Sequence, residues 1–310
     1  MKKFLITVDT EGDNLWNWHP GEPITTHNAK FIPRFQALCE TYGFYPVYLT
    51  NLEMAKSAEF QKTIGKCAWE GKCEIGMHLH SWNTPPIVEL EAKYNGLPYI
   101  TEFPLQIIYD KHQYLKTVIE ESLEVTPKTY RSGRWASNSD LFKVLENLGF
   151  IADCSVTPEI SWENCSGMTV EKGNNYLTAP HQAYFLSPNL VEVPLTSRKF
   201  RCLYGKSIKN LIKNVALGAD GTLRPATASF TLMKKLTKHV EREENGYLEF
   251  MLHSSELMPG GSPYFKNEES IEEMYKQMEQ YFKWIAKKGY KGMMLKDYAQ
   301  DFLSKRKGEA

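Results

Sequence analysis

Eight short, strand-like runs recur along this 310-residue chain, separated for the most part by longer stretches of helical spacing or by loops. They read FLITVD at 4–9, YPVYLT at 45–50, CEIGMHLH at 73–80, KTYRSG at 128–133, ADCSV at 152–156, LVEVPLTS at 190–197, YLEFMLHSS at 247–255 and KGMML at 291–295. Between them, apolar residues such as Phe31, Phe35, Leu38 and Tyr42 repeat at the three-to-four spacing of a helix face. The spacing predicts helices near 29–42, 53–69, 106–123, 137–148, 268–288 and 297–305. Over 206–244 it predicts two or more helices, broken by the loop GADGTLRP. Ser137 or Asn138 caps the fourth of these helices, and Gly149 stops it. Strands that alternate with helices need crossover connections, so the pattern dictates an α/β fold around a parallel sheet. The stretches 82–104 and 157–190 lose the rhythm and read as irregular insertions. No linker or repeat divides the chain, so 1–310 reads as one domain.

Charge and composition exclude several functional classes. Lys plus Arg equals Asp plus Glu at 37 each, which gives no general attraction to nucleic acid or to acidic membranes. No apolar run reaches the length that spans a bilayer, so no membrane insertion is expected. The apolar N-terminal run ends in acids after Val8 and lacks a signal-peptide core. Six scattered cysteines without a C-x-x-C pair suit free thiols in a reducing compartment. The expectation is a cytoplasmic protein.

Where the ionisable residues fall says more. Asp9 and Glu11 follow the first strand, His78 and His80 end the third, Arg131 ends the fourth, Asp153 lies in the fifth and His253 ends the seventh. Catalytic groups of (β/α) barrels gather at the carboxyl ends of their strands, so this placement favours closure of the sheet into a barrel. In an extended segment residues i and i+2 face the same way, about 7 Å apart, so His78 and His80 can converge on one ion. Asp9 and Glu11 share an orientation by the same rule. A carboxylate pair near two histidines suggests one metal ligand and one base, since hydrolysis needs an electrophile and an acceptor for water's proton.

The motifs TVDTEGD, EIGMHLHSW, TYRSG, ADCSV and FMLHSSE occur in the order and approximate spacing of the polysaccharide deacetylase superfamily, the NodB-homology group. The chain resembles that family over residues 4–255. The resemblance implies an irregular (β/α) barrel, often of seven strands rather than eight. It implies that Asp9 is the catalytic base, Glu11 and His78 are metal ligands, Arg131 holds the base, and His253 acts on the leaving group. The family's second metal histidine commonly stands four residues after the first, where this chain has Trp82. His80 is then the substitute, completing a site whose two imidazoles and one carboxylate suit Zn2+.

Other residues complete the expectation. Asp153 is expected to orient His253, as carboxylates orient catalytic imidazoles. Trp16, Trp82, Arg134 and Trp135 are candidates for substrate contact, because aromatic rings stack on sugars; Trp18 and His19 share the first loop with Trp16. His27, His112 and His239 fall in helix-like stretches and are expected at the surface. Together these point to a metal-dependent hydrolase that removes an N-acetyl group from a carbohydrate. The same site with different loops would serve a C–N hydrolase on a small-molecule amide, and loss of turnover would leave a carbohydrate-binding protein.

Overall fold

The structure is a computed structural model that describes residues 2–203, 207, 215–216, 218–243 and 246–308. At its centre lies β1 (Lys3–Thr10), buried from Phe4 onward. Alternation sorts its side chains into two sets. Phe4, Ile6 and Val8 pack outward among the helices. Leu5 belongs to a second cluster inside the sheet's curl, and Thr7 and Asp9 continue that inner face towards the strand's carboxyl end.

Next come β2 (Pro46–Thr50), β3 (Glu74–Leu79), β4 (Thr129–Ser132), β5 (Ala152–Asp153), β6 (Tyr184–Phe185) and β7 (Val191–Glu192). A separate two-stranded sheet pairs β8 (Ser197–Phe200) with β9 (Ala219–Thr222). The chain then returns to the main sheet with β10 (Tyr247–His253) and β11 (Lys291–Gly292). The main sheet runs β10-β1-β2-β3-β4-β5-β7-β6, and its first seven strands pair parallel. β6 is antiparallel to β7, while β11 pairs only with Lys3 and Phe4 of β1. Across the remaining seam no ladder joins β7 to β10. Instead Tyr247 Oη donates to the Pro194 carbonyl at 2.7 Å, and Thr196 Oγ1 accepts the Glu249 N–H at 2.9 Å. The result is the irregular (β/α) barrel that the alternation and the motifs predict, with seven parallel strands.

Most helices form where the apolar spacing places them. Ile32–Thr41, Leu105–Leu123, Ser139–Asn147 and Glu268–Lys287 pack on the outer face. Asn138 is the cap of the third, accepting the Leu141 N–H at 2.8 Å, and Gly149 follows with φ +79°. The helix Leu295–Gly308 brings Leu295, Tyr298 and Ala299 onto the inner cluster. Among the described residues no helix is long and apolar enough to cross a membrane.

The structure corrects three expectations. The stretch 53–69 is not one helix: a single turn at Leu52–Ala55 is broken at Lys56 and Ser57, and a continuous run then goes from Ala58 to Trp69 with a π-helical turn at Gln61–Gly65. Of 206–244, part lies outside the described residues; Phe230–Val240 is a helix, and GADGTLRP contains strand β9 rather than only a loop. His112 is not at the surface. It is fully buried, its Nδ1 paired with the Ile108 carbonyl at 2.6 Å, and burial lowers its pKa to about 4.

The two irregular insertions brace one another. Glu102 accepts the Met168 N–H at 3.2 Å and the Thr169 hydroxyl at 2.7 Å, and Tyr99 Oη donates to the Cys165 carbonyl at 2.7 Å. Near the second insertion lies a buried acid pair, Asp153 and Glu192, aligned in the β5–β7 register. Burial pushes Asp153 up to about 6. Burial and then the neighbouring Asp153 hold Glu192 well above the usual carboxylate range.

Both groups bind their proton more tightly in the folded chain than in the unfolded one. The pair therefore does no harm below about pH 4 and destabilises increasingly as pH rises through 6. Glu192→Gln keeps an acceptor for the Val156 N–H, which Glu192 holds at 2.9 Å. Its melting temperature should gain a few °C on the wild type between pH 4.5 and pH 8. A difference that stays flat across that range would show that the pair does not titrate.

Candidate active site

The parallel register brings the motif residues level. Asp9 of β1 stands opposite His253 of β10, and His78 of β3 opposite Arg131 of β4. Glu11 and His80 lie just beyond their strands, so the whole set forms one rim at the carboxyl ends. Asp9, Glu11, His78 and His80 are buried, and Arg131 is fully so.

Glu11, His78 and His80 converge as the i, i+2 geometry predicts. Glu11 Oε2 is 2.7 Å from His80 Nε2 and 3.4 Å from His78 Nε2. The Glu11 peptide is anchored by Ser254 Oγ, which accepts its N–H at 3.1 Å, and by the Asn28 amide, which donates to its carbonyl at 2.8 Å. Burial would raise the Glu11 carboxyl, yet the two imidazoles hold it well below the usual range.

The donor set fits a divalent cation. His78 Nδ1 lies 2.9 Å from the Arg131 carbonyl, an acceptor only, so that nitrogen carries the proton and the Nε2 lone pair is turned to Glu11. A lone pair 3.4 Å from a carboxylate oxygen is what a cation between them would reconcile. The three ligand atoms lie within 4.8 Å of one another. His80 is held differently. Its Nδ1 is buried without a hydrogen-bond partner and abuts Gly133, where any β-carbon would overlap it. A glycine is therefore required beside the second histidine.

Asp9 is fixed by an ion-pair chain. Arg131 Nη1 donates to Asp9 Oδ1 at 2.6 Å, its Nη2 to Glu249 Oε1 at 2.5 Å and to Thr7 Oγ1 at 3.0 Å, and its Nε to the Cys154 carbonyl at 2.9 Å. Burial would raise the Asp9 carboxyl, but Arg131, then His78 and His253, bring it below the ordinary value. Asp9 Oδ2 stays turned to the rim, 3.7 Å from His253 Nε2.

His253 is oriented by Glu256, three residues further along, and by Arg224, which sequence reasoning missed. Arg224 Nη2 lies 3.0 Å from His253 Nδ1 and also pairs with Glu256, whose Oε1 is 3.6 Å from the same nitrogen. Arg224 has only donors, so it requires a lone pair on Nδ1 and leaves the hydrogen on Nε2, facing Asp9 and Glu11. Asp153 does not take this place. It accepts a hydrogen bond from Ser155 at 2.6 Å and shares its surroundings with Glu192, Tyr176 and Tyr184. Its strand neighbours Ala152 and Cys154 take the inner face with Leu5, and alternation turns Asp153 to the other.

The candidate substrate residues divide. Trp16 packs against His253, ring centroids 5.1 Å apart, with its Nε1 donating to Ser255 Oγ at 3.0 Å. Trp82 packs on His80 at 4.3 Å. Both stand at the rim. Trp135 lies under the Arg131 guanidinium at 5.2 Å and stacks on Trp162. Arg134 points away into the insertions, donating to the Ser166 carbonyl at 2.8 Å and to the Leu97 carbonyl, over the Tyr99 ring. It is a brace. Arg134 and Trp135 have φ of +59° and +60°, a strained pair for non-glycine residues directly beside the rim.

No family model matches the sequence, and no curated protein matches it. Solved structures do match in fold. A Mycobacterium smegmatis protein described as a polysaccharide deacetylase superposes with a TM-score of 0.60 at 12% identity, covering 98% of this chain and 91% of its own. A branching enzyme of Thermococcus kodakaraensis gives 0.54 at 12% identity, over 97% of this chain and 71% of its own. A 4-alpha-glucanotransferase of Thermococcus litoralis gives 0.52 at 12% identity, over 97% of this chain but only 38% of its own. The resemblance read from the five motifs therefore holds at the level of the fold: the chain has the architecture seen in a polysaccharide deacetylase.

Proposed function

We propose that the protein is a metal-dependent hydrolase that removes an acyl group from the nitrogen of a carbohydrate amide. The observation that carries this reading is the rim itself. It sets the Glu11–His78–His80 cluster beside an acid locked by arginine, with an imidazole Nε2 3.7 Å from that acid. The fold shared with the Mycobacterium protein supports the same reaction class. Two imidazoles and a carboxylate suit zinc, which supplies Lewis-acid polarisation of the amide carbonyl when bound.

The remaining work falls to the chain. Asp9 Oδ1 is occupied by Arg131, so Oδ2 is the oxygen that receives the proton of the attacking water. Arg131 holds Asp9 ionised and aimed. His253 presents Nε2–H to the departing nitrogen, which leaves poorly without a proton. That transfer requires the charged ring, with hydrogens on both nitrogens, whose positive charge Glu256 Oε1 balances from 3.6 Å at Nδ1 and which returns to the neutral form once Nε2 has given up its proton. The Arg224 contact favours a second reading of this one residue, in which the ring stays neutral and only donates a hydrogen bond from Nε2 to developing negative charge.

Three measurements check this. Purified protein should hold about one divalent ion per chain by elemental analysis. His80→Ala and Gly133→Ala should both lose most of it, the latter because its methyl displaces the His80 ring; full occupancy in either variant would remove His80 as a ligand. Asp9→Asn should keep the metal and abolish acetate release from N-acetyl sugars; residual turnover within tenfold of wild type would exclude Asp9 as the base. His253→Ala distinguishes the two roles by leaving group. If His253 transfers a proton, amide hydrolysis should fall about 10²–10⁴-fold while an activated aryl ester of the same acyl group is spared. Equal losses on both substrates would assign the neutral-donor role.

A further inference from the structure

Two cavities flank the rim, and the loop after β1 contributes to both through Glu22. The one against Trp16, the ring packed on His253, has a volume of about 560 Å³ and is lined by polar residues including Asp13, Asn14, Asn17 and Ser262. The other has a volume of about 600 Å³ and lies against Trp82, the ring packed on His80. Its walls are mainly apolar: Ile24, Ile87, Val88, Leu97, Phe103 and Met168. An amide has two halves on opposite sides of its carbonyl carbon. If His253 serves the departing nitrogen, the amine half belongs in the polar cavity, and the acyl half extends over His80 into the apolar one.

We propose that the cavity beside Trp82 is an acyl-chain pocket and that the substrate is a polar amine carrying a medium-length aliphatic acyl group. The inference rests on the deacylase reading above and names its acyl half. An acetyl methyl group is about the size of a water molecule, whose share of liquid volume is about 30 Å³. It would leave nearly all of this pocket empty.

The pocket is also built to hold its shape. Lys111, fully buried, donates to the carbonyls of Ser81 at 2.9 Å, Thr84 at 2.7 Å and Pro86 at 2.6 Å, which fixes the wall that carries Trp82. Three acids also line the cavity: Glu53 is taken up by the Asn83 amide at 3.0 Å and the Asn51 amide at 2.9 Å, Glu22 accepts the His19 N–H at 3.1 Å, and Glu89 is the third. Arg134, bonded to the Leu97 carbonyl, steadies the opposite side. The reaction stays a plain hydrolysis. Water's oxygen bonds to the carbonyl carbon, the C–N bond breaks, the proton ends on the amine, and a free aliphatic acid departs.

The test is a series of N-acyl glucosamines from acetyl to octanoyl, with amine release measured for each. Each methylene buried in the pocket should raise kcat/KM about fourfold until the pocket is full. Ile87 lines the pocket and is 65% exposed, so a charge there spares the core. Ile87→Glu should cut the octanoyl-to-acetyl ratio at least tenfold. N-acetyl glucosamine with octyl and methyl aglycones forms the second arm. A rate that follows the aglycone and not the acyl chain would overturn the assignment, as would a flat acyl series. Sodium octanoate binding, read by tryptophan fluorescence with Trp82→Phe as control, needs no turnover. Octanoate should bind at least tenfold tighter than acetate; equal binding would sink the pocket even if hydrolysis stands, and tight binding without hydrolysis of any amide would remove the enzyme reading alone.

Discussion

One guanidinium organises the inside of this barrel. Arg131 is fully buried between two carboxylates that come from opposite ends of the chain, Asp9 on β1 and Glu249 on β10. An unpaired charge at that depth would be costly, so none of the three tolerates loss of a partner. Breaking such a pair typically destabilises by about 3–5 kcal/mol. The same contacts set the chemistry. By occupying one oxygen of Asp9, Arg131 leaves the other turned to the rim, and its own carbonyl fixes the His78 ring. Stability and the proposed chemistry thus draw on one residue, and the strained pair Arg134–Trp135 lies just beyond it.

Legibility in the sequence followed periodicity. The strands β1, β2, β3 and β10 announced themselves because they are buried on both faces and read as largely apolar runs, whereas β4, Thr-Tyr-Arg-Ser, is equally buried but mostly polar. The i, i+2 rule put His78 and His80 on one side of the strand end, where they meet Glu11, without any knowledge of the fold. Asp153 misled because the same rule, counted from Ala152, turns it to the other face. Its expected role went to Arg224 and Glu256. Glu256 is three residues beyond His253 and within its reach along the chain; Arg224 lies two residues past β9, where the Met251 N–H to Leu223 carbonyl bond brings the segment to β10, and no local sequence pattern announces it. Glu249 did carry a signal, since a lone acid inside YLEFML shares its face with His253. The helix-like spacing around His112 gave no hint of burial, because a histidine that bonds its own helix needs no distant partner.

The two insertions matter as a pair. Neither has regular structure of any length, yet they exchange backbone and side-chain hydrogen bonds through Glu102, Tyr99 and Arg134. A barrel of this kind varies its specificity through such loops while its strands stay constant. Here the insertions supply one wall of the cavity beside Trp82, so its shape and the loop–loop contacts are a single structural property.

The position of β1 has a consequence for assembly. Of the barrel's own strands the first in chain order is a central one, and it pairs with a strand formed more than two hundred residues later, as the Thr7–Glu249 bond across 242 positions records. Contacts of such sequence separation close slowly. Until β10 emerges, Arg131 has only one of its two carboxylates and the rim lacks His253. A chain that stops short of β10 therefore lacks His253, one carboxylate partner of Arg131 and the Ser254 hydroxyl that holds the Glu11 peptide, so the rim is completed only when its last strand arrives.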